Sequence, residues 1–272
     1  MPVTHRFLLL LAACVLAPPP VIAETSPDVW DKVRTGLFAG RPISEQIEDV
    51  IALDTPMRAE DASTVPIAIH VKLPAGGNRS VQKIYLVIDK NPSPLGAVFT
   101  FFPDSGRADL ETRVRVEEYS FVRAIAELSD GSLYMAANYV KAAGGCSAPG
   151  GKDQAAALAR LGKMKLRIDE PIALDRPIQA QLMVSHPNNS GLVMDQMTRL
   201  YEPSNFVRRI EVTYAGRPVM SADVDFTISE NPNFRFYFVP RGDGELKAEV
   251  VDSHDLKFES SLAIRQGSGV AN

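Results

Sequence analysis

The sequence predicts an all-β protein built from two sandwich domains, and three observations carry that prediction. Apolar and polar residues alternate with period two in short runs through both halves. Clusters of Gly, Pro, Asn and Asp separate those runs as turns do. One glycine-rich stretch, Gly144-Gly-Cys-Ser-Ala-Pro-Gly-Gly151, parts the runs into two sets. At 272 residues, 45% hydrophobic and 23% charged, the chain has room for two cores and lies far from a disordered composition.

Residues 1–23 read as a secretory signal: Arg6, then the apolar run from Phe7 to Leu16, then Val21-Ile22-Ala23 suited to cleavage after Ala23. A rival reading takes Leu11-Ala12-Ala13-Cys14 as a lipobox with lipid on Cys14, after a shorter apolar run. Either way the expected destination is the periplasm. No other stretch approaches the ~18 apolar residues of a membrane helix. Loss of residues 1–23 removes only Arg6 from the charge count, so the mature chain keeps an acidic balance close to the −4 of the whole. With no basic block to neutralise phosphates, nucleic acid is not an expected partner. If Cys14 leaves with the signal, Cys146 is the lone thiol in an oxidising compartment, and no internal disulfide is available to it.

The first domain spans 24–143. It opens with a helix at Asp28–Phe38 that puts Val29, Val33 and Leu37 on one face, with Ser26 or Asp28 as cap and Trp30 as packing anchor. Strand patterns follow at Val65–Leu73, Lys83–Asp89, Ala97–Phe102, Thr112–Val116, Ser120–Leu128 and Leu133–Ala143. Residues 144–163 hold the glycine loop and a short spacer helix, capped by Asp153 and stopped by Gly162. The second domain, 164–266, alternates at Met164–Ile168, Ile178–Val184, Ile210–Tyr214, Phe234–Phe238, Leu246–Val250 and Phe258–Ile264. That amounts to about seven strands, the number of an immunoglobulin-like sandwich. Residues 267–272 form a small polar tail. Asn-Pro occurs beside a strand in each half, at Asn91-Pro92 and Asn231-Pro232, which fits two related sandwiches.

Cys146 is the residue that draws attention. Glycine pairs on both sides remove side-chain restraint from the backbone, and apolar neighbours of the kind that bury a structural cysteine are absent. One reading is a thiol on a mobile, exposed segment, presented to other proteins; the other is a glycine-rich linker that happens to hold a cysteine. Lys141 and Lys152 flank it, and no His or Asp adjoins it to serve as base. His70 falls on the outward face of a strand, His186 in a Ser-His-Pro-Asn turn and His254 at a hairpin tip. No ligand cluster suggests a metal, Met183, Met194, Met197 and Met220 read as packing residues, and no phosphate loop follows the glycines. Arg113-Val-Arg115 and Arg208-Arg209 read as solvated or partner-facing pairs.

Taken together the chain resembles a known family. Trp30 with Leu37-Phe38, Ala59-Glu-Asp-Ala-Ser-Thr-Val-Pro66, Ile88-Asp-Lys-Asn-Pro92, Thr112-Arg-Val-Arg115, Asp130-Gly131 and Gly144-Gly-Cys146 resemble SoxY, the sulfur-carrier subunit of the thiosulfate-oxidising system. Ser185-His-Pro, Ser190-Gly-Leu192, Phe206-Val, Ile210-Glu-Val212 and Asn231-Pro-Asn-Phe234 resemble SoxZ. The resemblance implies a fused SoxYZ-like carrier of the quinoprotein dehydrogenase-associated type. Cys146 would carry a covalent intermediate on an arm of Gly144, Gly145, Gly150 and Gly151. Periplasmic redox enzymes, Sox-type or a quinoprotein dehydrogenase with its cytochrome, would load and unload it. No cofactor beyond that cargo, no catalytic residue and no metal are implied.

The chain departs from the family in one respect. SoxY ends on its Gly-Gly-Cys arm, whereas a whole domain follows here. A free arm of about four residues reaches roughly 13 Å, and a loop held at both ends sweeps less. The cargo could therefore be another sulfur species or another thiol-reactive group such as an aldehyde. A non-covalent assembly module is the alternative, and a cysteine enzyme lacks an evident base.

Overall fold

The computed structural model describes residues 28–265 apart from 46, 48, 75–76, 150–153, 169–170 and 196–197. The signal segment with Cys14, the Ser26 and Asp153 caps, Gly150, Gly151, Lys152, Met197 and the tail lie outside the described residues.

Helix α1, Val29–Phe38, stands on the first half and buries Trp30 and Phe38, with Val33 and Leu37 partly covered. Val29, expected on the inner face, is 40% exposed. The packed stripe runs Trp30, Val33, Leu37, one residue round from the expected one, because the large indole takes the inner position. Asp28 sits at the N-cap without a side-chain hydrogen bond. Eight strands follow: β1 Ile43–Ser44, β2 Ile51–Asp54, β3 Val65–Val71, β4 Val81–Ile88, β5 Leu95–Phe101, β6 Leu110–Val114, β7 Ser120–Leu128 and β8 Leu133–Val140. After helix α2, Gln154–Ala159, come β9 Met164–Ile168, β10 Ile178–Val184, β11 Val207–Tyr214, β12 Arg217–Val224, β13 Asn233–Phe238, β14 Gly244–Asp252 and β15 Lys257–Ile264. Alternation does what period two dictates. In β10, Ile178, Ala180, Leu182 and Val184 are buried, and in β13 so are Phe234, Phe236 and Phe238.

The two halves are joined as sheets. One nine-stranded sheet runs β1-β8-β7-β4-β5-β12-β11-β14-β15, and a six-stranded sheet runs β2-β3-β6-β13-β10-β9. Both cross from the first half to the second. In the larger sheet β5 pairs antiparallel with β12, setting Phe101 opposite Met220, Phe99 opposite Ala222 and Ala97 opposite Val224. In the smaller sheet β6 meets β13 at Glu111 and Arg235, whose side chains form an ion pair. Beyond β6 the contact continues: Arg115 N–H donates to the Thr227 carbonyl at 2.7 Å and Ser229 N–H to the Arg113 carbonyl at 3.0 Å. A single apolar core fills the space between the sheets on both sides of the seam, and Phe99 meets Phe234 edge-on across it at 6.1 Å. Pairing edge to edge also removes four open strand edges that two separate sandwiches would expose.

Candidate functional site

Chain geometry brings the cysteine stretch to that seam. After β8, the backbone of Lys141 bonds Met57 and Ala59, then turns along the segment that follows β6. Gly144 N–H donates to the Glu117 carbonyl at 2.8 Å and Gly145 N–H to the Val116 carbonyl at 3.0 Å. The two glycines serve different purposes. Gly144 holds φ +81°, a left-handed conformation that side chains disfavour, with open space around it. At Gly145 a Cβ would lie 2.1 Å from the Ala62 carbonyl oxygen, so only glycine permits this close approach. The expectation that this pair forms a slack arm is therefore corrected, since both residues are tied into the seam.

Exposure of the thiol is corrected as well. Cys146 is a free cysteine with 0% exposure. The contacts that hold its loop are polar. The Glu117 carboxylate accepts the Cys146 N–H at 2.8 Å, the Ser147 N–H at 3.1 Å and the Ser147 hydroxyl at 2.9 Å. From the second half, the Ser190 hydroxyl donates to the Cys146 carbonyl. Arg115 donates from Nη1 to the Gly145 carbonyl at 3.1 Å and from Nη2 to the Asn188 carbonyl at 3.4 Å. Ser147 itself is exposed, so the loop is closed over the sulfur with one of its fasteners on the surface.

The surroundings decide the chemistry of the sulfur. Burial, then the nearby Glu117 carboxylate, push the Cys146 thiol up to about 12, against the opposing pull of Arg115, and Asp225 adds to the rise. The closed form is thus a neutral thiol, and a thiol is not a nucleophile. Arg115, read from sequence as solvated or partner-facing, is 3% exposed, and burial lowers its pKa. Asp225 is raised by burial, with Ser93 and Thr227 hydrogen bonds opposing. Lys141 is exposed. The charges that act on the sulfur thus come from Glu117, Arg115 and Asp225, none of them a chain neighbour. Sequence reasoning passed over Glu117 and Asp225 and read Arg115 as solvated or partner-facing, because only their remote placement makes them relevant.

Two buried amide side chains, Asn91 and Asn188, fix these groups. Asn91 donates to the Arg115 carbonyl at 2.8 Å, accepts Glu117 N–H at 2.9 Å and reaches Thr227 across the seam. Asn188 donates to the Ile228 carbonyl at 3.0 Å and accepts Val207 N–H at 3.0 Å. His186 is buried; its Nδ1 accepts Asn188 N–H at 3.1 Å while Nε2 faces Asp252 at 3.5 Å. Burial lowers its pKa, so it is a neutral ring that shapes the turn carrying Asn188 and Ser190. His70 is half exposed between Asp54 and Asp109, and His254 lies in the β14–β15 turn. Among the described residues no cluster of His, Cys, Asp and Glu is placed to hold a metal ion, and no helix is long and apolar enough to cross a membrane. Met220 is buried as expected of a packing residue, whereas Met194 is 41% exposed.

Comparison with known proteins agrees with this layout. Residues 35–146 match the family model of sulfur oxidation protein SoxY, ending on Cys146, and residues 167–263 match that of sulphur oxidation protein SoxZ. No curated protein matches. Solved structures similar to this chain include superoxide reductase (neelaredoxin) from Ignicoccus hospitalis, at 20% identity over 41% of this chain and 86% of that one, with a TM-score of 0.29. Fibronectin(III)-like modules of Clostridium thermocellum CbhA align at 14% identity over 79% of this chain and 93% of theirs, with a TM-score of 0.24. Neither likeness bears on chemistry.

Proposed function

The chain belongs to the sulfur-oxidation proteins as a SoxY domain followed by a SoxZ domain, and from that premise we propose that it is a covalent carrier whose thiol is stored closed and presented on demand. The observation that supports this reading is the kind of burial Cys146 has. Side-chain hydrogen bonds accepted by Glu117 and donated by Ser190 and Arg115 hold its loop, where a structural cysteine would be held by apolar packing. Each such bond contributes about 1 kcal/mol net, so the loop can open while the sheets stay intact. Once open, the thiol regains an ordinary pKa and can form a thiolate. Storage in the closed form would keep a lone thiol in the periplasm from stray oxidation. The cargo is a sulfur species joined to Cys146. The partners are periplasmic redox enzymes, either of Sox type or a quinoprotein dehydrogenase with its cytochrome.

Complete burial of the sulfur favours a second reading, a non-covalent assembly module in which Cys146 only helps to shape the seam. Intact-mass measurement on protein taken from its native compartment separates the two. A reductant-labile adduct on Cys146, with loss of sulfur oxidation in Cys146→Ser, is the expected result. Full activity of Cys146→Ser in the cell would leave the module reading in its place.

A further inference from the structure

The second half grips the Cys146 loop through one turn, residues 185–191, and His186 braces that turn from inside. The ring is buried, and its two nitrogens have different tasks. Nδ1 accepts the Asn188 N–H at 3.1 Å, so the proton of the neutral ring is on Nε2, which faces the Asp252 carboxylate at 3.5 Å. Asn188, next along, has φ +44°, a left-handed conformation that asparagine tolerates. From this turn two contacts reach the first half. The Asn188 carbonyl accepts Arg115 Nη2 at 3.4 Å, and the Ser190 hydroxyl donates to the Cys146 carbonyl. Arg115 also donates to the Gly145 carbonyl, so both contacts bear on the loop.

A proton can enter the ring only at Nδ1, the one nitrogen with a free electron pair. There it would meet the Asn188 N–H donor to donor, and their bond would be lost. We infer that His186 is a positioning residue for the Cys146 loop and the point at which acid releases it. This rests on the carrier reading above and supplies its closed loop with a regulator. Protonation frees the Asn188 N–H, the turn relaxes, and the Ser190 and Asn188 contacts go with it; no covalent bond changes.

The groups that act on the ring are Asp252 of β14 and His254 of the β14–β15 turn, while β15 presents the Phe258 ring at 6.5 Å. Lys163, Glu230 and Arg208 stand on the segments whose backbone bonds the turn. Burial lowers the pKa of the closed ring, with Asp252 opposing and His254 adding to the fall. In the relaxed turn the ring meets water and regains a value of about 6.5. The open form therefore binds the proton more tightly. Through this group closure is undiminished above about pH 6.5 and weakens below it, by up to about tenfold per unit. Asp225, raised by burial, works in the opposite sense, since the closed carboxyl takes up its proton more readily than a hydrated one.

The test uses 4,4′-dithiodipyridine, which reacts with thiols in acid as well as at neutral pH. It forms protein–S–S–pyridine on Cys146 and expels thiopyridone, which carries off the thiol proton; one S–S bond forms and one breaks. The rate on the folded full chain is divided by that on the urea-unfolded chain at the same pH. Wild type should rise at least about fivefold between pH 7 and pH 5. His186→Asn offers a carbonyl oxygen in place of Nδ1 and does not titrate, so it should stay slow at both. His186→Phe has no acceptor and should be fast at both. All three chains keep Glu117 and Asp225, so an acid response of those groups would persist in the asparagine variant. An acid rise that persists there, or is missing from wild type, overturns the inference and leaves the carrier reading standing; so does a phenylalanine variant as slow as wild type at pH 7. Where the variants do not fold, wild type decides by NMR: the His186 ring proton should titrate with the midpoint of the labelling rise, and a ring that stays neutral through it overturns the inference. If folded wild type is not labelled at any pH while the unfolded chain is, the carrier reading fails and this inference with it.

Discussion

Two parts of the seam hold the same two halves together by different means. At the β5–β12 junction the chain uses a backbone ladder and interlocked aromatic rings, with Phe99 against Phe234 in one continuous core. At the Cys146 loop it uses a carboxylate, a hydroxyl and a guanidinium, which grip loop backbone atoms one or two at a time beside the two bonded glycine amides. Ladders and apolar cores come apart only with the fold, since burial is cooperative over the whole sheet. A loop fastened by three side chains and two backbone amides can open alone. The contrast separates the permanent joint of this protein from its movable one.

The comparison breaks most visibly at the permanent joint. Phe99→Ala should cost about 3–5 kcal/mol, as truncating a fully buried aromatic does. Trp30 fluorescence in the first half and amide protection of β10 and β13 in the second should be lost at one denaturant midpoint. Two separate midpoints would mean that the seam is a contact between independent domains.

Next in size is Gly145→Ala. Its Cβ meets the Ala62 carbonyl oxygen at 2.1 Å, so the closed loop cannot form unchanged. Labelling of Cys146 by a maleimide should accelerate at least about tenfold, the equivalent of 1.4 kcal/mol, with the sheets still folded. A slack arm would show no change. Glu117→Ala removes the acceptor of three hydrogen bonds. It should open the loop by about 2 kcal/mol and raise labelling some thirtyfold.

The pH dependence sharpens the comparison further. With the closed thiol raised to about 12, the closed form keeps its proton where an open cysteine, near 8.5, loses it. Through the thiol, closure is therefore undiminished below about pH 8.5 and weakens as pH rises from there towards 12. Labelling through the open form should keep climbing about tenfold per pH unit between 8.5 and 10, where a free cysteine levels off. A plateau above 8.5 would show a thiol that is already open. Smallest is Ser190→Ala, which deletes one bond to the Cys146 carbonyl and should raise labelling by a few-fold, for about 1 kcal/mol.

Much of the fold was legible because a half-buried strand writes itself into its own residues. The alternations at 65–71, 178–184 and 234–238 are strands with the expected side inward. The helix face was one residue off, since hydrophobic spacing alone does not say that an indole will displace a valine. The two Asn-Pro pairs turned out to do unlike work. Asn91 is buried and braces Arg115 and Glu117, while Asn231 is exposed, in a left-handed turn bonded through its backbone to His186. At the candidate site the cysteine was legible and its surroundings were not. Glu117, Ser190 and Asn188 carry no local signal, because each matters only through a partner far away in the chain.

By itself the sequence determined most of the strand segments, though not β1, β2 or β12, where one half gives way to the other, and that a thiol stands at that boundary. Those are local matters, set by side-chain periodicity and backbone freedom within a few residues. Tertiary structure alone decided which strand edges meet and whether the sulfur faces water. Edge pairing joins β5 to β12 over more than a hundred residues, and any alternating strand offers the same backbone donors and acceptors to any neighbour. The glycines that suggested freedom are equally suited to close packing, and the carbonyl of Ala62 makes that choice at Gly145.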